Sequence, residues 1–529
     1  MITLRGIFDR IAPGNDELSH ESHSRVLHAV RRLSEIIPPQ YRQYDLISII
    51  MPKTYGYHTS FDGLYNDFRR LTTLSKKVFQ NDVLSKKLAY QVLLRKKKEI
   101  ISDLKYKKEE IKIFYAKNRE QQELNFSENS YNIFFANMQT YLRVMVLYIN
   151  QSKHNNNVLV VPRILESTHI LKEVDKNKFL FFDDFITRDI HQKYINSKAD
   201  FSEAIDSNID VLQDIFNIEG INFFQFIQVG IENVFKYLLP QALLFYLTVE
   251  EILRNIPTNA VIGARVRRIY DRAFYTCTKH KQVDRFVLLH SNIGNDIRFT
   301  HGMGHFNDLT GVFTWGEKQK NIIEGDSFSN VKNIFVTGSP LFKSMNTNLS
   351  TTTKKMKSIL YAGTNNDFKE VKLITQTINN LSESCKLVIK VHPGLDAEPY
   401  EKYSRTANVE IISGKEVLEN YLKRADVLLT TISESSLQSI LSSIPTLFLI
   451  TNDRFRRPLF SLYDFNEQEE EMFIVSNKRQ LIVKLNKLFS STEYYDQFIT
   501  HQSDFLRKTI KFHSAEHGAT EEIDKILNS

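Results

Sequence analysis

Five short apolar segments between residues 355 and 450 each run into a small polar residue or a histidine, and helical stretches separate them. In order, the segments read SILYAGT, KLVIKVHPG, VEIISGK, DVLLTT and TLFLI. Strands that alternate with helices form parallel sheets, so this pattern predicts a doubly wound α/β domain. Ligands of such sheets bind outside the carboxyl ends of the strands, which is where these polar residues stand.

A second alternation of strands and helices precedes this one. Its apolar runs are NVLVV, FLFF, AVIG, FVLL and IFVT. A polar stretch, NTNLSTTTKK, follows them and has the composition of an interdomain linker. We therefore expect α/β domains at 126–345 and 355–490, a mostly helical region at 1–125 and a helical segment at 491–529.

Composition excludes several classes of protein. The chain has 529 residues, 42% hydrophobic and 25% charged, which is neither collagen-like nor wholly disordered. Its two cysteines, Cys277 and Cys385, are too few for a disulfide framework and too far apart for a cysteine metal motif. The start lacks a secretory pattern, and the longest apolar stretch, 238–249, is shorter than the ~20 residues of a membrane span. We expect a cytoplasmic protein.

Positive charge is concentrated in one segment. Residues 86–119 contain twelve Lys or Arg and four acidic residues, whereas the whole chain has a net charge of +7. Apolar residues recur among the lysines at helical spacing, which predicts a basic amphipathic helix or hairpin. It either packs on the rest of the protein with a solvated face or docks on an anionic membrane surface. Nucleic-acid binding is not expected, because no motif of that class is present.

Two of the polar strand ends suit phosphate binding. His392 is followed by Pro393 at the end of one strand, where an imidazole can donate a hydrogen bond to a phosphate oxygen. The segment TTISESS, which includes Glu434, Ser435 and Ser436, follows another strand and opens a helix. One N-cap needs one hydroxyl, so five hydroxyls in seven residues favour an anion site. Glu434 is a candidate partner for ribose hydroxyls.

Glycines mark two further strand ends. Gly363 and Thr364 follow the first strand, where a missing side chain allows a ligand or another domain to approach closely. Ser413 and Gly414 follow the third, and either contact a nucleotide base or simply close the loop. No Gly-x-Gly-x-x-Gly or Walker motif is present, which disfavours a dinucleotide or an ATP-hydrolysing site.

The order strand-Gly-Thr, KVHPG and SGKEVLENYLKRADVLLTTISESS resembles the donor domain of bacterial GT-B glycosyltransferases that build surface polysaccharides. Its His-Pro and Ser/Thr-Ser motifs are similar to those of the sialyltransferase and polysialyltransferase group and of CDP-glycerol glycerophosphotransferases. The resemblance, over roughly residues 355–450, implies two facing Rossmann-like domains. It also implies that His392, Ser435 and Ser436 engage the phosphate of a cytidine nucleotide.

A looser likeness covers the acceptor domain of such enzymes. Where they have a strand ending in Gln-His-Gly, this chain has Leu289-His290-Ser291, and FTHG supplies a second histidine, His301, so both histidines are candidates for the cleft. The sialyltransferase-like group also has an aspartate base in an aromatic-Asp-Asp-Gly segment. FFDDF carries Asp183 and Asp184 in the corresponding place, with phenylalanine instead of glycine. Adjacent residues point to opposite sides of a strand, so one of the two carboxylates would be the base.

The sequence thus predicts an inverting, metal-independent glycosyltransferase without a cofactor. Its donor would be a nucleotide-sugar, with CMP-sialic acid or a related ulosonic acid first, and its acceptor a surface glycan or a lipid-linked chain. The alternatives are a CDP-glycerol or CDP-ribitol phosphotransferase, a UDP-sugar-dependent GT-B transferase, an epimerase of the same architecture and a non-catalytic, membrane-associated assembly partner.

Overall fold

The computed structural model describes residues 32–46 and 130–528 with gaps. The gaps are 219–220, 223, 225–227, 229–230, 233, 267–268, 294–305, 307, 326–329, 343–355, 365–366, 393–394, 407, 415, 417, 434, 452 and 512–517. The predicted helical region at 1–125 lies outside the described residues except for 32–46, and so does the whole of the basic segment 86–119.

The chain divides into two compact units. The first comprises Met1–Leu288, Ile297–Val312 and Asp326–Asn333, and the second comprises Leu289–Asp296, Phe313–Gly325 and Ile334–Ser529. The predicted linker falls at 343–355, outside the described residues, so the predicted domain limits stay predictions.

The first sheet has seven strands. The strands up to residue 336 are β1 (Tyr131–Phe135), β2 (Asn157–Val161), β3 (Phe179–Phe181), β4 (Asn217–Ile218), β5 (Ile221–Asn222), β6 (Thr258–Gly263), β7 (Asp284–Leu288), β8 (Gly311–Thr314) and β9 (Asn333–Val336). Their order in the sheet is β3-β2-β1-β6-β7-β8-β9, and β4 and β5 form a separate antiparallel pair. Strand β2 is buried along its entire length, as expected for a parallel sheet covered on both faces.

The second sheet confirms the five strands predicted from the alternation between residues 355 and 450. Its strands are β10 (Lys357–Ala362), β11 (Cys385–Lys390), β12 (Val409–Ile412), β13 (Val427–Thr430), β14 (Thr446–Leu449) and a short sixth, β15 (Ile474–Val475). All pairs are parallel, in the order β12-β11-β10-β13-β14-β15. The chain is therefore an α/β protein with two parallel sheets, as predicted.

Helices separate most of these strands. The α-helices are α1 (Gln139–Gln151), α2 (Arg188–Asp206), α3 (Ile209–Ile215), α4 (Leu239–Asn255), α5 (Ile269–Cys277), α6 (Glu317–Glu324), α7 (Phe368–Ile378), α8 (Leu418–Leu422), α9 (Ser435–Leu441), α10 (Asp453–Leu462), α11 (Glu467–Phe473), α12 (Lys478–Ser490), α13 (Thr492–Thr509) and α14 (Ala519–Leu527). Short 3₁₀ helices include Leu33–Ile36, Pro39–Tyr44, Arg163–Leu165, Phe182–Phe185 and Glu398–Arg405, and Val234–Leu238 is a π-helix.

Local sequence explains where these helices lie. Helix α7 buries Val371, Ile374 and Ile378, which recur at three- and four-residue spacing and so form one apolar face. Helix α11 begins at a capping box in which the side chains of Asn466 and Glu469 each accept a hydrogen bond from the other's backbone N–H. Within the described part of the chain, no helix is both long and apolar enough to cross a membrane. Both cysteines are buried free thiols.

Candidate functional site

The middle of the second sheet is a topological switch point. From β10 the chain moves outward to β11 and β12 and then returns to the other side of β10 to form β13. The connections leaving β10 and β13 therefore diverge, and the carboxyl ends of these two strands border the crevice in which open α/β sheets bind ligands. Gly363 and Thr364 follow β10, and Thr430 and Thr431 lie at the end of β13.

Hydroxyl groups meet at this switch point. The Oγ1 atoms of Thr364 and Thr431 are 3.0 Å apart, within hydrogen-bond distance. The Thr430 hydroxyl donates to the carbonyl of Ala362 at 2.6 Å and lies 3.5 Å from the Ser435 hydroxyl. Residues 67 positions apart are thus brought together by the pairing of β10 with β13. Thr364 thus contacts Thr431, and Ser435 lies beside Thr430, the neighbouring residue of β13. These four residues form the hydroxyl cluster.

The paired serines differ in their surroundings. The Ser435 hydroxyl donates to Ser433 Oγ at 2.8 Å, at the start of α9. The Ser436 hydroxyl is buried, donates to the Ser433 carbonyl at 2.8 Å and lies 3.2 Å from the Tyr463 hydroxyl. Ser436 therefore links the turn to Tyr463, the residue that follows α10, and its predicted part in phosphate binding stays a prediction. Glu434 lies outside the described residues.

His392 stands two residues beyond the end of β11. Strand β11 pairs with β10 so that Lys390 is level with Ala362, the residue before Gly363. The imidazole is partly buried, which lowers its pKa, and the nearby positive charge of Lys390 lowers the pKa further, whereas the charge of Asp367 raises it. His392 is therefore a neutral imidazole at pH 7, able to donate one N–H. Pro393 lies outside the described residues.

The loop after β12 is tied to β11. Lys390 is buried, and its ammonium donates to the Gly414 carbonyl at 2.9 Å. Gly414 is buried, whereas the neighbouring Ser413 is exposed to solvent. Of the two residues predicted to contact a base, Ser413 is therefore the solvent-exposed one, and the predicted contact stays a prediction.

Other residues of the same unit fill the space that a side chain at position 363 would occupy. A Cβ atom at this position would lie 1.7 Å from Asp367 Oδ2 and 2.5 Å from the Tyr361 hydroxyl. Sequence analysis attributed this glycine to the approach of a ligand or another domain, whereas the structure shows a carboxylate of the same unit there. The hydroxyls of Tyr361 and Tyr400 each donate to Asp367 at 2.8 Å.

The paired aspartates of the first unit follow β3. Asp183 Oδ2 accepts a hydrogen bond from the backbone N–H of Arg163 at 2.6 Å, and Asp184 forms an ion pair with the Arg163 guanidinium. That guanidinium also lies over the Phe181 ring, 4.1 Å from its centroid. Arg163 follows β2, the neighbour of β3 in the sheet, so one arginine organises the whole FFDDF segment.

The two aspartates therefore have different electrostatic environments. Burial raises the pKa of Asp183, the negative charge of Asp184 raises it too, and the hydrogen bond from the Arg163 backbone opposes this rise. Asp184 has a permanent cation beside it. An aromatic wall stands nearby, where the rings of Phe182 and Tyr270 are 4.9 Å apart and burial, together with the charge of Asp183, raises the pKa of Tyr270.

The two histidines predicted to line the cleft come after β7 in the chain. His290 is 9% exposed and comes directly after Leu289, whose carbonyl accepts a hydrogen bond from the Trp315 indole N–H at 2.8 Å. The segment is thus held in place, although nothing in its geometry assigns His290 to chemistry. His301 lies outside the described residues. In the described part of the chain, no group of three or more His, Cys, Asp or Glu is placed to hold a metal ion.

Sequence reasoning missed Arg163, Lys390, Asp367 and Tyr400. Lys390 had a visible signal, a lysine at the apolar carboxyl end of a strand two residues before the histidine. Asp367 resembles an ordinary N-cap residue from the sequence, although its side chain does not cap α7. Tyr400 had no signal, because it is 33 residues from Asp367.

Comparison with known proteins finds similarity in structure and none in sequence. No protein-family model matches the chain, and no curated protein matches it in sequence. Solved structures that align with it include the UDP-GlcNAc 2-epimerase from Neisseria meningitidis bound to UDP-GlcNAc, with 12% identity over 76% of this chain and 100% of that chain and a TM-score of 0.46.

Two further solved structures align to a similar degree. The wall teichoic acid polymerase TagF has 10% identity over 83% of this chain and 96% of that chain, with a TM-score of 0.46. The glycosyltransferase of kitacinnamycin has 10% identity over 76% and 99%, with a TM-score of 0.44. Likenesses this distant carry no argument about function, which depends instead on the site itself.

Proposed function

We propose that the chain is an inverting, metal-independent glycosyltransferase. It takes a nucleotide-linked sugar at the carboxyl edge of the second sheet, with CMP-sialic acid or a related ulosonic acid as the first donor to test. The acceptor is a surface glycan or a lipid-linked chain.

The observation that carries this proposal is the hydroxyl cluster at the switch point. Thr364 and Thr431 are in hydrogen-bond contact at the ends of the two central strands, and Ser435 stands beside Thr430. The Thr430 and Ser435 hydroxyls donate within the protein, whereas the contact between Thr364 and Thr431 uses only one of their two hydroxyl protons. In this proposal the other proton of that pair and the N–H of the neutral His392 imidazole are donated to phosphate oxygens. Fixed donors stabilise the charge that develops on a departing phosphate. Such a site favours a nucleotide phosphate over an apolar ligand.

Asp183 is the better candidate for the base. Asp184 is held in an ion pair with the Arg163 guanidinium, so its side chain is already engaged within the unit. Burial raises the pKa of Asp183 toward the range in which a general base works well at neutral pH. In this proposal Asp183 takes the proton of the acceptor hydroxyl, and Arg163 holds the segment in place.

A nucleotide panel tests the donor site. We expect CMP, among CMP, CDP, UDP, GDP and ADP, to raise the thermal unfolding midpoint equally with and without magnesium. A ligand at 100 times its Kd adds about 2.7 kcal/mol of stability. His392→Ala should remove most of this shift, and His501→Ala, at a histidine whose ring contacts Gln468 on another helix, should retain it.

Other outcomes of the panel select the alternatives. A preference for CDP favours a polyol phosphotransferase, and a preference for UDP favours a UDP-sugar transferase or an epimerase. If no nucleotide shifts the midpoint, the transferase proposal is wrong and the non-catalytic assembly partner replaces it. Docking of the basic segment 86–119 on an anionic membrane stays part of the proposal, and liposome binding that does not fall with added salt would contradict it.

A further inference from the structure

Two buried charged side chains lie at the end of β11 and in the segment that follows β10, and neither belongs to the hydroxyl cluster. The first is the ammonium of Lys390 at the end of β11. It is 7% exposed and donates to the Gly414 carbonyl, and burial lowers its pKa while the charges of Glu416 and Glu419 raise it. Burying an ammonium group costs free energy, so packing alone does not explain a lysine at this position.

The second charge is the carboxylate of Asp367, which is 3% exposed. It accepts hydrogen bonds from the hydroxyls of Tyr361 and Tyr400 and from the backbone of Thr364. Burial raises its pKa and these bonds lower it. Asp367 thus joins β10, the loop after β10 and the 3₁₀ helix Glu398–Arg405 at one point.

Strand geometry places the two charges on opposite faces of the sheet, beside the strand end that leads to His392. Lys390 and His392 are two residues apart, so they lie on the same side of an extended chain. Lys390 is level with Ala362 on β10, whereas Asp367 fills the space of the missing side chain of Gly363, the next residue, which faces the other side of the sheet. The charges of Lys390 and Asp367 are those that act on His392 among the described residues.

We propose that Lys390 and Asp367 are positioning residues that fix the two loops flanking His392 and act on its imidazole with opposite charges. Lys390 holds the loop after β12 against the histidine's own strand and disfavours protonation of the ring. Asp367 holds the loop after β10 and favours protonation. Burial and the charge of Lys390 keep the ring neutral, and the charge of Asp367 opposes them, so that a further negative charge beside the ring favours uptake of a proton from solvent.

The functional consequence rests on the proposed function. A bound phosphate adds negative charge beside His392 and so favours the imidazolium, which makes binding of the nucleotide coupled to proton uptake. A charge-assisted hydrogen bond is roughly twice as strong as a neutral one. CMP affinity should accordingly rise as the pH falls toward the pKa of His392 in the free protein.

The primary test is an NMR titration of His392 in the full, nucleotide-free chain labelled with [13C]histidine, with the resonance assigned by its loss in His392→Gln. Lys390→Gln removes the charge but retains a donor for Gly414, and it should raise the pKa of His392. Asp367→Asn replaces the carboxylate with an uncharged carboxamide of similar size, and it should lower this pKa. Lys390→Arg restores the charge and should return the pKa to the wild-type side.

Matched controls remove charges from the same elements. Lys386→Met acts on β11 at an exposed lysine paired with Glu410, and Glu401→Gln acts on the 3₁₀ helix next to Tyr400. Both should leave the pKa of His392 unchanged. Where a first variant does not fold, Lys390→Met or Asp367→Ser replaces it. Shifts of one sign for Lys390→Gln and Asp367→Asn, or shifts as large in the controls, overturn the proposal.

A second readout separates this inference from the proposed function. CMP affinity measured by calorimetry at several pH values should follow the His392 pKa of each variant. Opposite shifts of that pKa without any CMP binding would uphold the positioning pair and refute the proposed function. A different result would refute the positioning pair and uphold the proposed function. In that case CMP binding would require His392, both charge-removing variants would bind CMP as well as wild type, and neither would shift the pKa of His392.

Discussion

The two sheets share one connectivity and differ at their carboxyl edges. In each, the first strand lies at the centre, the next two extend to one side and the chain then returns to the other side, so β1 and β6 correspond to β10 and β13. Each also has a glycine at the end of a central strand that cannot carry a side chain. Gly263 ends β6 and Gly363 follows β10.

The occupant of the glycine space distinguishes the two edges. A Cβ atom at Gly263 would lie 2.5 Å from the Phe135 ring and 2.6 Å from the Tyr275 hydroxyl. The Phe135 ring stacks on Phe274 with centroids 4.3 Å apart. At Gly363 the occupant is the Asp367 carboxylate. The same topology therefore yields an aromatic edge in the first unit and a polar, hydroxyl-lined edge in the second, and the side chains at the strand ends decide which chemistry each supports.

The largest expected effect comes from Asp183→Asn. It removes the proposed base and should lower sugar transfer about 10²- to 10⁴-fold, as the loss of general base catalysis does, with CMP affinity unchanged. Because burial raises the pKa of Asp183, wild-type transfer should fall as the pH falls through that raised pKa, closer to neutrality than for an ordinary aspartate.

Asp189→Asn, at an exposed aspartate in the first turn of α2, is the matched control and should retain full transfer. Initial rates of transfer from the donor selected by the nucleotide panel measure both variants. Equal rates for Asp183→Asn and wild type would show that Asp183 is not the base. The proposed difference in function between the two edges would then be wrong.

A smaller effect is expected from filling the two glycine spaces. Gly263→Ala and Gly363→Ala should each cost about 1–3 kcal/mol through overpacking. The two spaces hold different side chains. Gly363→Ala should also weaken CMP binding, because it displaces Asp367, which accepts a hydrogen bond from the backbone of Thr364. Gly263→Ala should leave CMP binding intact.

Calorimetry of unfolding and of CMP binding measures these variants. Gly518→Ala is the control, because a Cβ atom there meets nothing within 4 Å, and it should change the stability by less than about 0.5 kcal/mol. If Gly263→Ala weakens CMP binding as much as Gly363→Ala does, the two edges are not functionally distinct.

The fold of the second unit was largely predictable, because most of its strands are apolar runs that end at a small polar residue or lead to a histidine. β15 was missed, since two residues carry no periodic signal. In the first sheet β1 and β8 were missed, because YNIFF and GVFT are short apolar runs that do not alternate. β1 lies between β2 and β6, so its neighbours were recognised without the strand that joins them.

The candidate site was predictable only where function follows directly from a strand end. Thr364 and Ser435 could be found in that way, because parallel strands place their carboxyl ends on one edge. Arg163, Asp367 and Tyr400 act through tertiary contacts with residues 20 to 33 positions away. Patterns in a single sequence do not reveal such contacts. For the same reason, the packing of Asp367 against Gly363 could not be predicted from the sequence.

The smallest expected effect concerns one hydroxyl of the polar edge. Thr431→Val replaces the hydroxyl with a methyl group of similar size and removes the contact with Thr364, and one neutral hydrogen bond contributes about 0.5–1.5 kcal/mol. CMP affinity should therefore fall by roughly two- to tenfold. Thr446→Val is the matched control, because this buried threonine lies at the amino end of β14 and its hydroxyl donates to Ile444 at 3.1 Å. The two substitutions remove the same group from opposite edges of one sheet, so a fall in CMP affinity confined to Thr431→Val would assign nucleotide binding to the carboxyl edge, and equal affinities would contradict that assignment.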